Sequence, residues 1–223
     1  MRRFALVSLS GGYALTFETL AGPLGALLIG YLLGSVPFGI VLTRLAGAGD
    51  LRSIGSGNIG ATNVLRTGRK GLAALTLLLD ALKGAAAVFL VRALFPDEPQ
   101  LDALSAFGAL LGHLYPVWLR FRGGKGVATF LGITIALHWQ IGLAAAFAWL
   151  LMLGLSRYSS LAGMTMALSA PVVAAVAGRF DFALMFLGFA LLIVWKHRPN
   201  LERLMTGTEP QVGGSDAAAE PDA

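Results

Sequence analysis

From residue 20 to residue 36, and again from 183 to 195, the chain runs without one charged side chain. Across its 223 residues 56% are hydrophobic and only 13% are charged, too few charges to cover the surface of a water-soluble domain of this length. The fold class this implies is all-α: a polytopic integral membrane protein. A hydrocarbon core of ~30 Å asks for about 20 apolar residues per helical span. By that measure seven segments are candidates: 20–45, 72–95, 101–119, 127–137, 141–155, 161–177 and 182–195. The fourth and fifth are short enough to be one helical hairpin that stops before a full crossing. Residues 1–19 read as an N-terminal extension, 20–210 as a single membrane-embedded domain and 211–223 as a disordered, low-complexity tail.

Threading seven spans alternately puts twelve of the seventeen lysines and arginines on one side of the membrane, which the positive-inside rule makes cytoplasmic. Three loops on that face carry more than charge. The first, 52–66, reads RSIGSGNIGATNVLR. Its Gly55, Gly57 and Gly60 match G-x-G-x-x-G, but no strand precedes them, so a dinucleotide site is not expected. The physics of the pattern still holds: glycines let backbone N–H groups approach a phosphate, and a helix beginning near Asn58 would aim its positive end at it. Ser56 adds a hydroxyl, and Thr62 and Arg66, four apart, would share a helical face.

In the second loop Arg120, Arg122 and Lys125 crowd around Gly123 and Gly124 directly before a helix that starts at Val127, another phosphate-binding arrangement. A basic flank against anionic lipid headgroups would look similar. In the third loop, 195–210, His197 and Asn200 stand with Glu202 and Glu209, where the histidine is either a base or orienting group or an exposed part of a capped helix end. Asp80 and Lys83, three apart within the second span, read first as a structural pair.

What is missing narrows the chemistry. There is no cysteine, no G-x-S-x-G elbow, no H-E-x-x-H helix and no pair of aspartates suited to metal-dependent phosphoryl transfer. Neither a cofactor nor a metal is expected, and direct transfer between two bound substrates remains. A transporter for a phosphorylated metabolite would suit the intramembrane charges and glycine-rich breaks. Against it, the donor-rich loops gather on one face. A noncatalytic scaffold for anionic lipid is a third reading.

Six blocks, GSVPFGI (34–40), GSGNIGATNVLR (55–66), DALKG (80–84), GHLYPVWLRFRGGKGVAT (112–129), RYSSLAG (157–163) and WKHRPNLERLMTGTE (195–209), resemble the acyl-phosphate-dependent glycerol-3-phosphate acyltransferase family, the PlsY-type bacterial membrane enzymes. The resemblance implies seven membrane helices and transfer of a fatty acyl group from acyl phosphate to the 1-position of glycerol 3-phosphate. The products would be 1-acyl-glycerol 3-phosphate (lysophosphatidic acid) and inorganic phosphate. By motif match Ser56, Thr62, Arg66 and Lys125 would serve phosphate recognition, and His197 and Asn200 would hold the glycerol portion. Gly57, Asn58, Asn63, Gly124 and Thr129 complete the implied substrate-binding set, with His197, Lys125, Ser56 and Arg66 as its catalytic members. The implied setting is the bacterial inner membrane with the active face cytoplasmic. The implied partners are the two substrates and membrane lipid, with no nucleic acid and no obligatory protein partner.

Overall fold

The computed structural model describes residues 20–214 with their side chains, and 7–8, 14–15 and 17–19 by backbone alone. Apart from a short antiparallel pair, Val7–Ser8 with Ala14–Leu15, the described residues are helical or loop. The helices are α1 (Phe17–Gly34), α2 (Phe38–Leu45), α3 (Ala61–Leu65), α4 (Lys70–Leu94), α5 (Leu101–Leu114), α6 (Val127–Leu137), α7 (Trp139–Ser156), α8 (Ser159–Val176), α9 (Phe180–Lys196) and α10 (Arg198–Met205). The described residues pack as two compact units that divide between Trp139 and Gln140.

Each of the seven apolar candidates holds a helix, but their lengths differ from expectation. Leu20–Leu45, Lys70–Leu94, Trp139–Ser156 and Ser159–Val176 are long and apolar enough to cross a membrane, and α9 with α10, bent by 60°, makes a fifth if the pair is one span. With 14 residues α5 falls short, as does α6 with 11; at 1.5 Å per residue they reach only ~21 and ~17 Å. The third candidate was expected to run to residue 119, yet α5 stops at Leu114. Pro116 forces the residue before it out of helical geometry, and a single 3₁₀ turn, Val117–Leu119, follows. The fifth candidate is a full-length helix rather than half of a short hairpin.

Within the first unit, glycines let helices touch at the backbone. On α1, a methyl added at Gly30 would run into Ser105 O and one at Gly34 into Ala109 O; on α5, Gly108 and Gly112 sit in the same way against Leu27 O and Tyr31 O. Gly84 of α4 against Thr129 O, and Gly132 of α6 against Ala81 O, repeat the device. Small residues four apart replace the hydrophobic drive that lipid removes, since close packing is what remains to hold helices together in a bilayer.

The inward stripe of α4 runs Ala73, Thr76, Asp80, Lys83, Ala87 and Val91, so both charges face the interior by helical period alone. Between α1 and α2 the helix breaks, because Val36 precedes a proline and Pro37 has no N–H to continue the ladder. The carbonyls this exposes are taken up from elsewhere: Trp118 Nε1 donates to Ser35 O at 2.8 Å and Lys83 Nζ to Val36 O at 2.7 Å.

In the second unit, Ala162, Met166, Ala170 and Ala174 form one buried stripe of α8, and Phe186, Phe189, Ala190 and Ile193 are the buried residues of α9. The chain then turns at His197 into α10. Of the tail expected to be disordered, 211–214 are described, with Val212 N–H donating to Arg157 O at 2.8 Å. Residues 215–223 and most of the expected extension 1–19 lie outside the described residues.

A matched pair of substitutions checks the helix contacts. Gly108→Ala should lower the melting temperature in detergent, because its methyl meets the Leu27 carbonyl. Gly154→Ala, with nothing within 4 Å, should leave it unchanged or raise stability by about 0.4–1 kcal/mol.

Candidate active site

The first loop is organised by one side chain. Asn63 is buried; its Nδ2 donates to Leu51 O at 2.8 Å and Ile54 O at 2.9 Å, and its Oδ1 accepts from Ser56 N at 3.2 Å and Ser56 Oγ at 3.4 Å. Expected to bind substrate, Asn63 instead has its amide committed to the loop itself, so its role here is to shape the backbone around Ser56. Asp50 starts the turn by accepting from Arg52 N, and Gly55 and Gly57 take left-handed φ values of 53° and 65°. A side chain at Gly55 would strike Arg66 Cδ and Asn63 Oδ1, each 2.7 Å from the added atom. The Arg66 stem therefore lies across Gly55, beside Ser56.

The helix expected near Asn58 begins only at Ala61 and lasts five residues. Asn58 Oδ1 instead accepts from Ile59 N. So short a helix carries little dipole, and the cation here is the Arg66 side chain. Ser56 and Thr62 are exposed and Arg66 is half-buried.

The second loop turns sharply. Arg120 and Phe121 both take left-handed φ, 52° and 60°, after which Gly123 N and Gly124 N donate to Leu114 O and His113 O. These bonds fold the glycines back onto the end of α5, and an added methyl on Gly124 would meet the His113 ring. Lys125, half-buried, sits one residue before Gly126, which caps α6 with φ 88°. The expected cation before a helix start is thus present. Thr129, by contrast, is fully buried in the α4–α6 contact rather than set on the loop surface.

The structure brings these two loops together. Ile59 of the first and Leu119 of the second share a buried cluster with Ile40 of α2, and Gly39 backs directly onto Ile59 O.

The third loop belongs to the second unit. His197, 2% exposed, lies between α9 and α10, with Nδ1 2.8 Å from Ile193 O. A carbonyl can only accept, so Nδ1 carries a proton and donates it to Ile193 O. Asn200 Nδ2 donates to Glu209 Oε1 at 2.6 Å, which fixes the direction of its amide. The same oxygen accepts from Ser160 Oγ at 2.5 Å, and Arg203 Nε reaches Glu209 Oε2 at 2.7 Å. Burial raises the Glu209 carboxyl, but the hydrogen bonds from Ser160, Asn200 and Arg203, with the Arg203 charge, outweigh it and hold the group below its ordinary 4.5. Sequence reasoning grouped Glu209 with His197 and Asn200 but missed Ser160 and Arg203, whose only signal was an acid following Asn200 at a fixed distance. Among the described residues no cluster of acidic or histidine side chains has the form of a metal site.

Comparison with known proteins decides the family. The model for glycerol-3-phosphate acyltransferases matches residues 24–207. The chain belongs to the glycerol-3-phosphate acyltransferase family. Membership makes it an acyltransferase by class. A glycerol-3-phosphate acyltransferase of Mesorhizobium japonicum is 55% identical over 188 residues, 84% of this chain and 95% of the relative. The crystal structure of PlsY (YgiH), an integral membrane glycerol 3-phosphate acyltransferase in its glycerol 3-phosphate form, is 39% identical with a TM-score of 0.80, over 86% of this chain and 96% of that one. Its lysophosphatidic acid form gives 37% and 0.77, over 86% and 95%. With several apolar helices of its own, this family member is a multi-pass membrane protein.

Two outcomes check the local geometry. Asn63→Ala should release the 51–56 turn, seen as faster amide hydrogen exchange there and loss of activity. For Glu209 the depressed carboxyl contributes stability that is fully present above pH 4.5 and lost as pH falls through its lowered folded value. Glu209→Gln should therefore melt lower than wild type at neutral pH, with the gap closing as the pH is taken down toward 3.

Proposed function

We propose that the protein transfers a fatty acyl group from acyl phosphate to the 1-hydroxyl of glycerol 3-phosphate at the cytoplasmic face of the bacterial inner membrane. The observation that carries this reading is the pairing, around α2, of two glycine-rich turns that each present a half-buried cation, Arg66 and Lys125. Fixed backbone turns with a cation beside them suit phosphate, and here both donor and acceptor bear one. The relatives solved in glycerol 3-phosphate and lysophosphatidic acid forms correspond to the acceptor and the product of this reaction.

Acyl phosphate is a mixed anhydride, so its leaving group is already activated and no enzyme nucleophile is required. The acceptor hydroxyl oxygen attacks the acyl carbonyl carbon, the new ester C–O bond forms, and the bond from that carbon to the phosphate oxygen breaks. Phosphate departs with the electron pair. The hydroxyl proton goes to Nε2 of His197, whose tautomer the Ile193 carbonyl favours, and from there to the departing phosphate. Ser56, Thr62, Arg66 and Lys125 serve phosphate recognition, and Asn200, its amide fixed by Glu209, holds the glycerol portion. The acyl chain stays in the lipid phase.

The purified protein should release inorganic phosphate when given palmitoyl phosphate and glycerol 3-phosphate together, and stay inactive with palmitoyl-CoA as donor. Acylation of glycerol 3-phosphate with the thioester alone, seen as coenzyme A release with no phosphate freed from palmitoyl phosphate, would overturn the donor assignment. His197→Gln should lower kcat while changing acceptor KM little; a raised KM with kcat kept would make His197 a binding group.

A further inference from the structure

The mechanism leaves unused the most buried charged groups of the first unit. Lys83 and Asp80, 5% and 3% exposed, pair at 2.6 Å on the inward stripe of α4. A buried pair alone contributes little net stability, since desolvation of both ions offsets their attraction. What this one touches is more informative. Lys83 Nζ donates to Val36 O at the break between α1 and α2, and lies 5.8 Å from the centre of the Phe38 ring at the first residue of α2. On its other side Asp80 Oδ1 faces His113 Nδ1 across 3.8 Å. The Nε2 edge of that imidazole is the surface against which Gly124 is packed, one residue before Lys125. The Trp118 indole, from the same loop, ties to Ser35 O beside Val36. The Lys83 and Trp118 contacts thus reach the α1–α2 break, and His113 lies against the turn that carries Lys125.

We propose that Asp80, Lys83 and His113 are positioning residues: Lys83 pins the broken backbone that starts α2, and His113, faced by Asp80, backs Gly124, so that both phosphate-recognising turns are held in register. The inference rests on the phosphate role given to Lys125 above. None of the three groups has to touch substrate. Asp80 neutralises Lys83, whose ammonium adds a charged donor to the Val36 carbonyl beside the N–H of Phe38 at 3.2 Å. The imidazole fills the space a side chain at position 124 would take, which is why glycine stands there.

The neutral double variant Asp80→Asn/Lys83→Met keeps volume while removing the donor to Val36 O. In detergent it should melt near wild type yet lose about ten- to hundredfold in kcat/KM, the scale on which a small misplacement of substrate-holding groups acts. A folded double variant with wild-type kcat/KM overturns the proposal. Should it fail to fold, the cycle of His113→Ala and Gly124→Ala decides. Gly124→Ala alone should be impaired, and restored at least in part when His113→Ala makes room, whereas additive losses overturn the proposal. Lys125→Ala separates the two readings. If it keeps wild-type kcat/KM, the phosphate role fails; if it is impaired while Asp80→Asn/Lys83→Met is not, only the positioning inference fails.

Discussion

A backbone carbonyl inside a bilayer has no water to turn to, and this protein breaks a helix where that matters. At Val36–Pro37 the ladder of α1 stops, and Lys83 and Trp118 take up the carbonyls it leaves open. Val36 O also accepts from Phe38 N at 3.2 Å, so Lys83 adds a second, charged donor to that carbonyl. The lysine in turn requires a counter-charge, which Asp80 provides one helical turn away. The break is what gives α2 a direction of its own, and both cation-bearing turns are packed on α2 through Ile40, Ile59 and Leu119. A single interruption in an apolar helix thus accounts for an intramembrane ion pair and for the seating of two polar loops.

The same economy of contact governs the helices around it. Gly30, Gly34, Gly108 and Gly112 place α1 and α5 in direct backbone contact, and this proximity lets Tyr31 Oη reach Tyr115 O at the end of α5. In the second unit, the stripe from Ala162 to Ala174 does comparable work on α8. Leucines and phenylalanines such as Leu78, Phe89 and Leu184 are left to face outward, the reverse of a water-soluble arrangement.

Much of this was legible beforehand, for physical reasons. Hydropathy located the apolar segments that hold α1, α2 and α4 to α9 because the membrane rewards apolar runs directly, but not the short α3 and α10; the glycine-and-cation turns were visible because phosphate chemistry asks for those residue types in sequence. Helix length was harder to read. Nothing local to Leu114 marks its helix as ending except Pro116, and apolar residues continue through Leu119. Partnership was the least legible. Asn63 looked like a ligand because asparagine is polar, yet its amide ties Leu51, Ile54 and Ser56 into one turn. Ser160 and Glu209 are 49 residues apart, a pairing no periodicity announces. Asp80 and Lys83 were expected to pair and do, at 2.6 Å, but nothing local pointed to the carbonyl of Val36, 47 residues from Lys83, which the lysine also reaches.

His197 stands at the vertex where α9 and α10 meet at 60°. One arm of the corner anchors the imidazole, through the carbonyl of Ile193 on α9. The other is braced by Glu209, which takes up Asn200 and Arg203 of α10 and reaches Ser160 of α8. A bend clamped on both arms keeps a buried ring in one orientation.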